Sequence, residues 1–339
     1  MKTVCVPVVA AIIAIASFSY VLSAGAEEFS SDLTVATESP APPAAPDAAP
    51  AAAPEKGPPL PFLTIEGVGG GAITPMAYLV NPGDECHTFG KPSAALSVVN
   101  AGEKNLDSIA VADTLFQRIE IGYAAERFGV GTLRQNVENA TGLDIGTNDV
   151  WLHNFDARVL LVKENTCFAG VELPAITAGA DIKYNSSIAD INNRLLGTLT
   201  GIGYRNASGV DYTLTATKTI PEAFGRPVIV TAGLRLSEGA DLGFLGFGNT
   251  YYATFEGNVA CLLTDQLLVA YEFRQKTDPY SQVVVGGNTL IGTESNWNAI
   301  DVALILNKHT TFVAGWGAFG VLADTTENGA WFLQLKHEF

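Results

Sequence analysis

From residue 93 to the C-terminus, apolar and polar side chains alternate one by one. In the last segment Trp331, Leu333, Leu335 and Phe339 fall on one face, with Gln334, Lys336 and Glu338 on the other, and only His337 breaks the apolar row. Leu267, Val269, Tyr271 and Phe273 likewise alternate with Glu272, Arg274 and Lys276, and Ile119, Ile121 and Tyr123 stand opposite Arg118, Glu120 and Glu126. A period of two places the two classes on opposite faces of a β-strand. Segments of this kind lie near 93–101, 105–114, 117–127, 149–163, 174–185, 209–218, 227–237, 251–263, 265–276, 295–306, 309–320 and 329–339. No helical spacing competes with them. Most run to about ten residues, which crosses a bilayer when the strand is tilted.

Alternation alone does not say which face is inside. A soluble sandwich buries the apolar face, whereas a transmembrane barrel turns it to lipid and lines its lumen with the polar one. The connections favour the barrel. Stretches near 128–148, 186–208, 238–250, 277–294 and 321–328 are long. Those at Leu115-Phe116, Thr264-Asp265 and Asn307-Lys308 are tight, with two of middling length near 164–173 and 219–226. Long connections at one end and short turns at the other are the habit of outer-membrane barrels. The expected fold is therefore all-β, an antiparallel transmembrane β-barrel of about twelve strands covering 93–339.

Composition supports this. The chain is 47% hydrophobic and only 16% charged, yet beyond its N-terminus it has no apolar run of the 18 or so residues that a spanning helix needs. Its apolar residues must be spread over short segments. At the N-terminus, Lys2, the apolar run Val4 to Val21 and the small residues Ser23-Ala24-Gly25-Ala26 read as a cleaved signal peptide, residues 1–26. Residues 27–61 hold nine of the 17 prolines, mixed with alanines, and are expected to be a disordered periplasmic linker. Residues 62–92 form an irregular Gly-rich segment containing Gly67 and Gly69-Gly70-Gly71. A nucleotide loop would need a helix after it, and Pro75 comes too soon. A tight backbone path near the barrel rim, or partly inside the lumen, fits better. Both termini are then periplasmic, the barrel wall meets outer-membrane lipid, and the terminal aromatic Phe339 is a residue for the barrel-assembly machinery to read. The net charge of −16 comes with no basic stripe, which argues against nucleic-acid binding.

Several stretches carry a resemblance. They are Gly69-Gly70-Gly71-Ala72-Ile73-Thr74-Pro75, Leu115-Phe116-Gln117-Arg118-Ile119-Glu120-Ile121 and Gly243-Phe244-Leu245-Gly246-Phe247-Gly248. Tyr271-Glu272-Phe273-Arg274-Gln275-Lys276 and Gly329-Ala330-Trp331-Phe332-Leu333-Gln334-Leu335 complete the set. In these, residues 62–339 resemble a family of Gram-negative exported proteins classed as a domain of unknown function, the 3034 family. The resemblance implies an outer-membrane barrel and brings no catalytic residues with it.

Catalysis and metal binding find little footing. His87, His153, His309 and His337 are isolated in sequence, without a serine elbow or a Cys-x-x-Cys pair, so neither an enzyme nor a cofactor or metal site is expected. Cys86 and Cys167 fall at the same rim and are candidates for a disulfide. Strand parity turns Arg118, Glu120, Asp156, Arg158, Asp181, Lys183, Asp211, Arg235, Glu256, Glu272, Arg274 and Asp301 into the lumen. Tyr123, Trp151, Tyr184, Tyr212, Tyr251, Trp297 and Trp331 lie near strand ends, as interface girdles do. Two functions follow: a narrow porin-like pore for small solutes selected by the lumen charges, or a non-conducting structural or surface-interaction barrel filled by them.

Overall fold

A computed structural model of the protein describes residues 60–84, 87–223 and 225–339. The stretch expected to be a signal peptide, nearly all of the expected Ala/Pro linker and Cys86 lie outside the described residues. Among the described residues, twelve strands close into one barrel. They are β1 (Ser93–Ala101), β2 (Lys104–Leu115), β3 (Ile119–Gly129), β4 (Asp149–Val162), β5 (Ala175–Asn185) and β6 (Ser208–Ala223). The second half is β7 (Arg226–Gly239), β8 (Phe247–Leu262), β9 (Leu267–Arg274), β10 (Trp297–Ile305), β11 (Thr310–Ala318) and β12 (Ala330–Glu338). Every strand pairs antiparallel with its chain neighbour, and β12 closes on β1 from Trp331↔Asn100 to Glu338↔Ser93. Closure removes the open edges that a sheet would otherwise present.

The two faces are inverted relative to a soluble protein. Leu96, Ile109, Ile182, Ile300 and Leu335 point outward and are 46–59% exposed. The alternate residues are buried, among them Lys183, Glu272, Arg274, Asp301 and Lys336. This answers what periodicity left open: the apolar face is the outer one. A continuous exposed apolar belt of this extent has no place in water, and it is what a lipid-facing wall requires.

One end of the barrel carries the long connections, 130–148, 186–207, 240–246, 275–296 and 319–329, together with the tight Gly102-Glu103 turn. The other end carries the connections at 116–118, 163–174, 224–225, 263–266 and 306–309. We call these the loop end and the turn end. The long connections hold three short α-helices among the described residues, α1 (Leu133–Thr141), α2 (Ile188–Arg194) and α3 (Thr198–Ile202), where only loops were expected. α1 stops at Gly142, whose φ of 73° is left-handed and whose N–H closes the last turn on Glu138. Phe128, Leu152, Phe244, Phe247, Trp297 and Phe319 belong to a buried apolar core at this end.

Two sequence expectations need correction. Arg118 is not in the lumen: it is exposed, because Phe116 and Gln117 take left-handed φ values of 52° and 57° and strand parity begins only at Ile119. Trp297 is not a girdle residue. It shares parity with Asp301, is buried, and packs its ring 4.7 Å from that of Phe319. Trp151, Tyr184, Tyr212, Tyr251 and Trp331 are exposed on the outer wall. Tyr123 joins them through its hydroxyl, 3.0 Å from His153 Nδ1.

Candidate functional site

The lumen is occupied by the chain itself. Residues 61–81, the core of the Gly-rich segment, run inside the barrel, and all of them except the half-buried Tyr78 are buried. The segment folds as a tight hairpin, Phe62–Leu63 against Gly69–Gly70, with Gly70 bridged to Pro75. Glycine is required on both sides of the contact. A Cβ on Gly122 of β3 would strike the Gly67 carbonyl, and one on Gly71 would enter the Glu272 carboxylate. Backbone can approach a wall this closely only where side chains are missing.

A plug of bare backbone leaves N–H and C=O groups that must be satisfied away from water. The wall supplies the partners. Glu272 accepts from the N–H groups of Ala72 (2.7 Å), Ile73 (3.2 Å) and Thr74 (2.8 Å), and from Thr74 Oγ1 (2.5 Å). Glu120 accepts from the N–H groups of Gly69 (2.9 Å) and Val80 (2.8 Å) and is held in place by Arg158 at 2.7 Å. Arg158 in turn donates to the carbonyls of Met76 (2.6 Å) and Tyr78 (3.2 Å). Ser108, Thr114, Thr177, Gln334 and Lys336 donate to the carbonyls of Ile65, Val80, Ala77, Leu63 and Pro61.

Glu66 is the acid of the plug and is buried in the lumen. Its carboxylate meets Lys183 Nζ at 2.5 Å, Arg274 Nη1 and Nη2 at 2.6 and 2.8 Å, and Arg235 Nη2 at 3.1 Å. Those three cations also face acids of the wall. Lys183 and Arg235 both lie 3.0 Å from Asp211, Arg235 is 3.2 Å from Glu256, and Lys183 is 3.4 Å from Asp181. Strand register brings Asp156, Asp181 and Asp211 side by side across β4, β5 and β6. Three neighbouring acids on one face repel, and the interleaved cations offset this. Oxygens of Glu66, Asp181 and Asp211 lie within 4.8 Å of one another, a spacing that would suit a metal ion, but Lys183 and Arg235 already stand between them.

The plug is hung from one end. Pro61 lies beside Lys336, itself paired with Glu338 near the turn end at 2.6 Å. On the returning side the Tyr78 hydroxyl meets Thr219 (2.6 Å) and Glu164 (2.7 Å) at the same end. The hairpin thus enters and leaves through the turn end, with Glu66 near its apex. Above it, the apolar core of the loop end packs on the plug itself, with Ile65 and Ile73 among Phe128, Phe244 and Trp297. A cavity of about 30 Å³ remains between Ile65, Ile73, Phe128, Phe244 and Trp297, and one of about 10 Å³ beside Asp156 and Asp181. Such spaces hold about one or two waters.

A family model described as a protein of unknown function, DUF3034, matches residues 62–336. The chain belongs to that family. The match opens at Phe62, so it takes in the plug as well as the wall. No match is found among curated proteins. Solved structures similar to the chain include a KdgM porin, at 10% identity over 73% of this chain and 99% of the other, with a TM-score of 0.44. Outer membrane phospholipase A from Escherichia coli is 6% identical over 73% and 92%, with a TM-score of 0.35. The Acinetobacter baumannii outer membrane protein Omp33 is 8% identical over 74% and 99%, with a TM-score of 0.35.

Of the twelve residues expected to line the lumen, all but Arg118 are buried inside it. Glu120, Arg158, Glu272 and Arg274 touch the plug backbone directly, and Lys183 and Arg235 reach it through Glu66. Asp156 and Asp301 are buried, and both oxygens of Asp301 lack a hydrogen-bond partner among the described residues. Sequence reasoning missed Glu66, since no alternating segment contains it, and its only signal was a lone acid in a Gly-rich run. The rings of His309 and His337 lie 6.1 Å apart, tilted by 34°, at the turn end. Cys167 is exposed and free among the described residues, and its candidate partner Cys86 lies outside them.

Proposed function

We propose that the protein is an outer-membrane porin-like pore for small solutes, held shut by its own N-terminal segment. Membrane residence is supported by the outward apolar belt. A nine-residue strand such as β12 is roughly 30 Å long at about 3.4 Å per residue, and tilting brings this near the apolar thickness of an outer membrane. The long connections then face outside and the turn end faces the periplasm, from which the linker enters.

The observation that carries the pore reading is the way the plug is held. It enters and leaves through the same mouth, so it withdraws without threading the chain. The wall around it bears charged and hydroxyl side chains that water satisfies once the backbone has left. A barrel filled only for stability has a simpler solution in apolar side chains, since replacing buried ion pairs by hydrophobic groups is often neutral or stabilising. The rival reading, a non-conducting structural barrel, draws on the many hydrogen bonds that tie plug to wall.

Planar-bilayer recording separates the two. The full chain is expected to give little current, and a variant lacking Phe62–Val80 steady single-channel steps. Silence from a folded deletion variant contradicts the pore.

A further inference from the structure

Resting on the pore reading, the inference here names the class of solute. Arg274 grips the Glu66 carboxylate as a fork, with Nη1 on Oε2 at 2.6 Å and Nη2 on Oε1 at 2.8 Å. Lys183 binds the Oε1 side at 2.5 Å and Arg235 the Oε2 side at 3.1 Å. All three cations come from the wall, from β5, β7 and β9, while the carboxylate comes from the plug. Their side chains are no more than 5% exposed. This is a built carboxylate receptor, planar and bidentate, and the plug's glutamate is its present occupant.

We propose that Lys183, Arg235 and Arg274 form the solute site of the open pore, and that small organic carboxylates occupy it when Glu66 withdraws. The wall also fixes the charge of the ligand. Asp181, Asp211 and Glu256 lie against the three cations and offset much of their charge. A single carboxylate matches the fork that Glu66 leaves. A doubly charged phosphate meets the same acids with greater repulsion. A carboxylate solute and Glu66 compete for one place, so the solute itself favours the open form by mass action.

Two measurements test this and separate it from the pore reading. In the first, the full chain carrying Glu66→Ala is unfolded by heat in detergent, in sodium formate and in sodium chloride at equal ionic strength. Formate is small enough to replace the deleted carboxylate. The midpoint is expected to rise by a few degrees in formate for Glu66→Ala, and to stay level for the unaltered chain and for Glu66→Gln, whose amide fills the space. Equal midpoints in the two salts overturn the proposal, whatever the pore does. Where Glu66→Ala does not fold, the chain lacking Phe62–Val80 is measured in the same way. In the second, glutarate is added to the deletion variant in a planar bilayer. A several-fold drop in chloride current, lost in Arg274→Ala, is expected. Current that glutarate leaves unchanged overturns the carboxylate site and leaves the pore reading standing. A folded variant without any current overturns the pore reading, and the formate result still decides the site.

Discussion

Arg274, on the barrel wall, and Glu66, at the tip of the plug, lie 208 positions apart in the chain and meet through two parallel N–H···O contacts. The pair joins plug to wall, and both side chains are nearly inaccessible. Removing the charge from Glu66 leaves Lys183, Arg235 and Arg274 short of one acid in a buried site. Glu66→Gln is therefore expected to cost about 3–5 kcal/mol, the range for breaking one partner of a buried pair. Urea unfolding of the protein in lipid vesicles measures it. Asp190→Asn, whose exposed pair with Arg194 sits on α2, serves as the comparison and is expected to change little.

Gly122 tests the plug from the opposite side. It lies on β3, faces inward, and has the Gly67 carbonyl where its own Cβ would be. Gly122→Val suits a strand better than glycine does, so the wall is expected to remain closed. The added methyl groups instead overpack the plug by about 1–3 kcal/mol. Protease cleavage within residues 62–80, in barrels that keep their strand circular dichroism, reports this. The expected change is faster cleavage in Gly122→Val than in the unaltered chain.

Much of this was legible beforehand, for a physical reason. In a barrel wall every residue faces either lipid or lumen, so the period of two survives along whole strands, and parity put Lys183, Asp211 and Arg274 on the inner face. Parity fails where the backbone leaves extended geometry. Arg118 follows two left-handed residues and points away. Trp297 shows a different failure, since proximity to a strand end suggested a girdle while parity with Asp301 put it inside. The plug was legible only as a glycine cluster. Its role depends on Glu272, Glu120 and Arg158 meeting its backbone across as many as 200 residues, and no local pattern encodes such pairings. Glu66 was missed for the same reason.

The outer face has a test of its own. Leu335 and Ile300 are exposed on the belt, whereas Leu196 is 81% exposed on a loop-end connection. An arginine in the lipid-facing band costs roughly 2–4 kcal/mol near the bilayer midplane and little near the interface. Ile300→Arg is expected to weaken folding into vesicles by that amount, and Leu196→Arg to leave it nearly unchanged. Equal effects at the two sites contradict a lipid-facing belt.

The placement of residues 61–81 inside the lumen is tested most directly by amide hydrogen exchange of the folded, lipid-inserted protein. Backbone N–H groups of Gly69, Ala72, Thr74, Ala77 and Val80 donate to buried wall side chains. Fragments covering 62–80 are expected to exchange as slowly as those from β3 and β9. Exchange of these fragments at the rate of an unprotected chain, with the strands still protected, would contradict a plugged barrel.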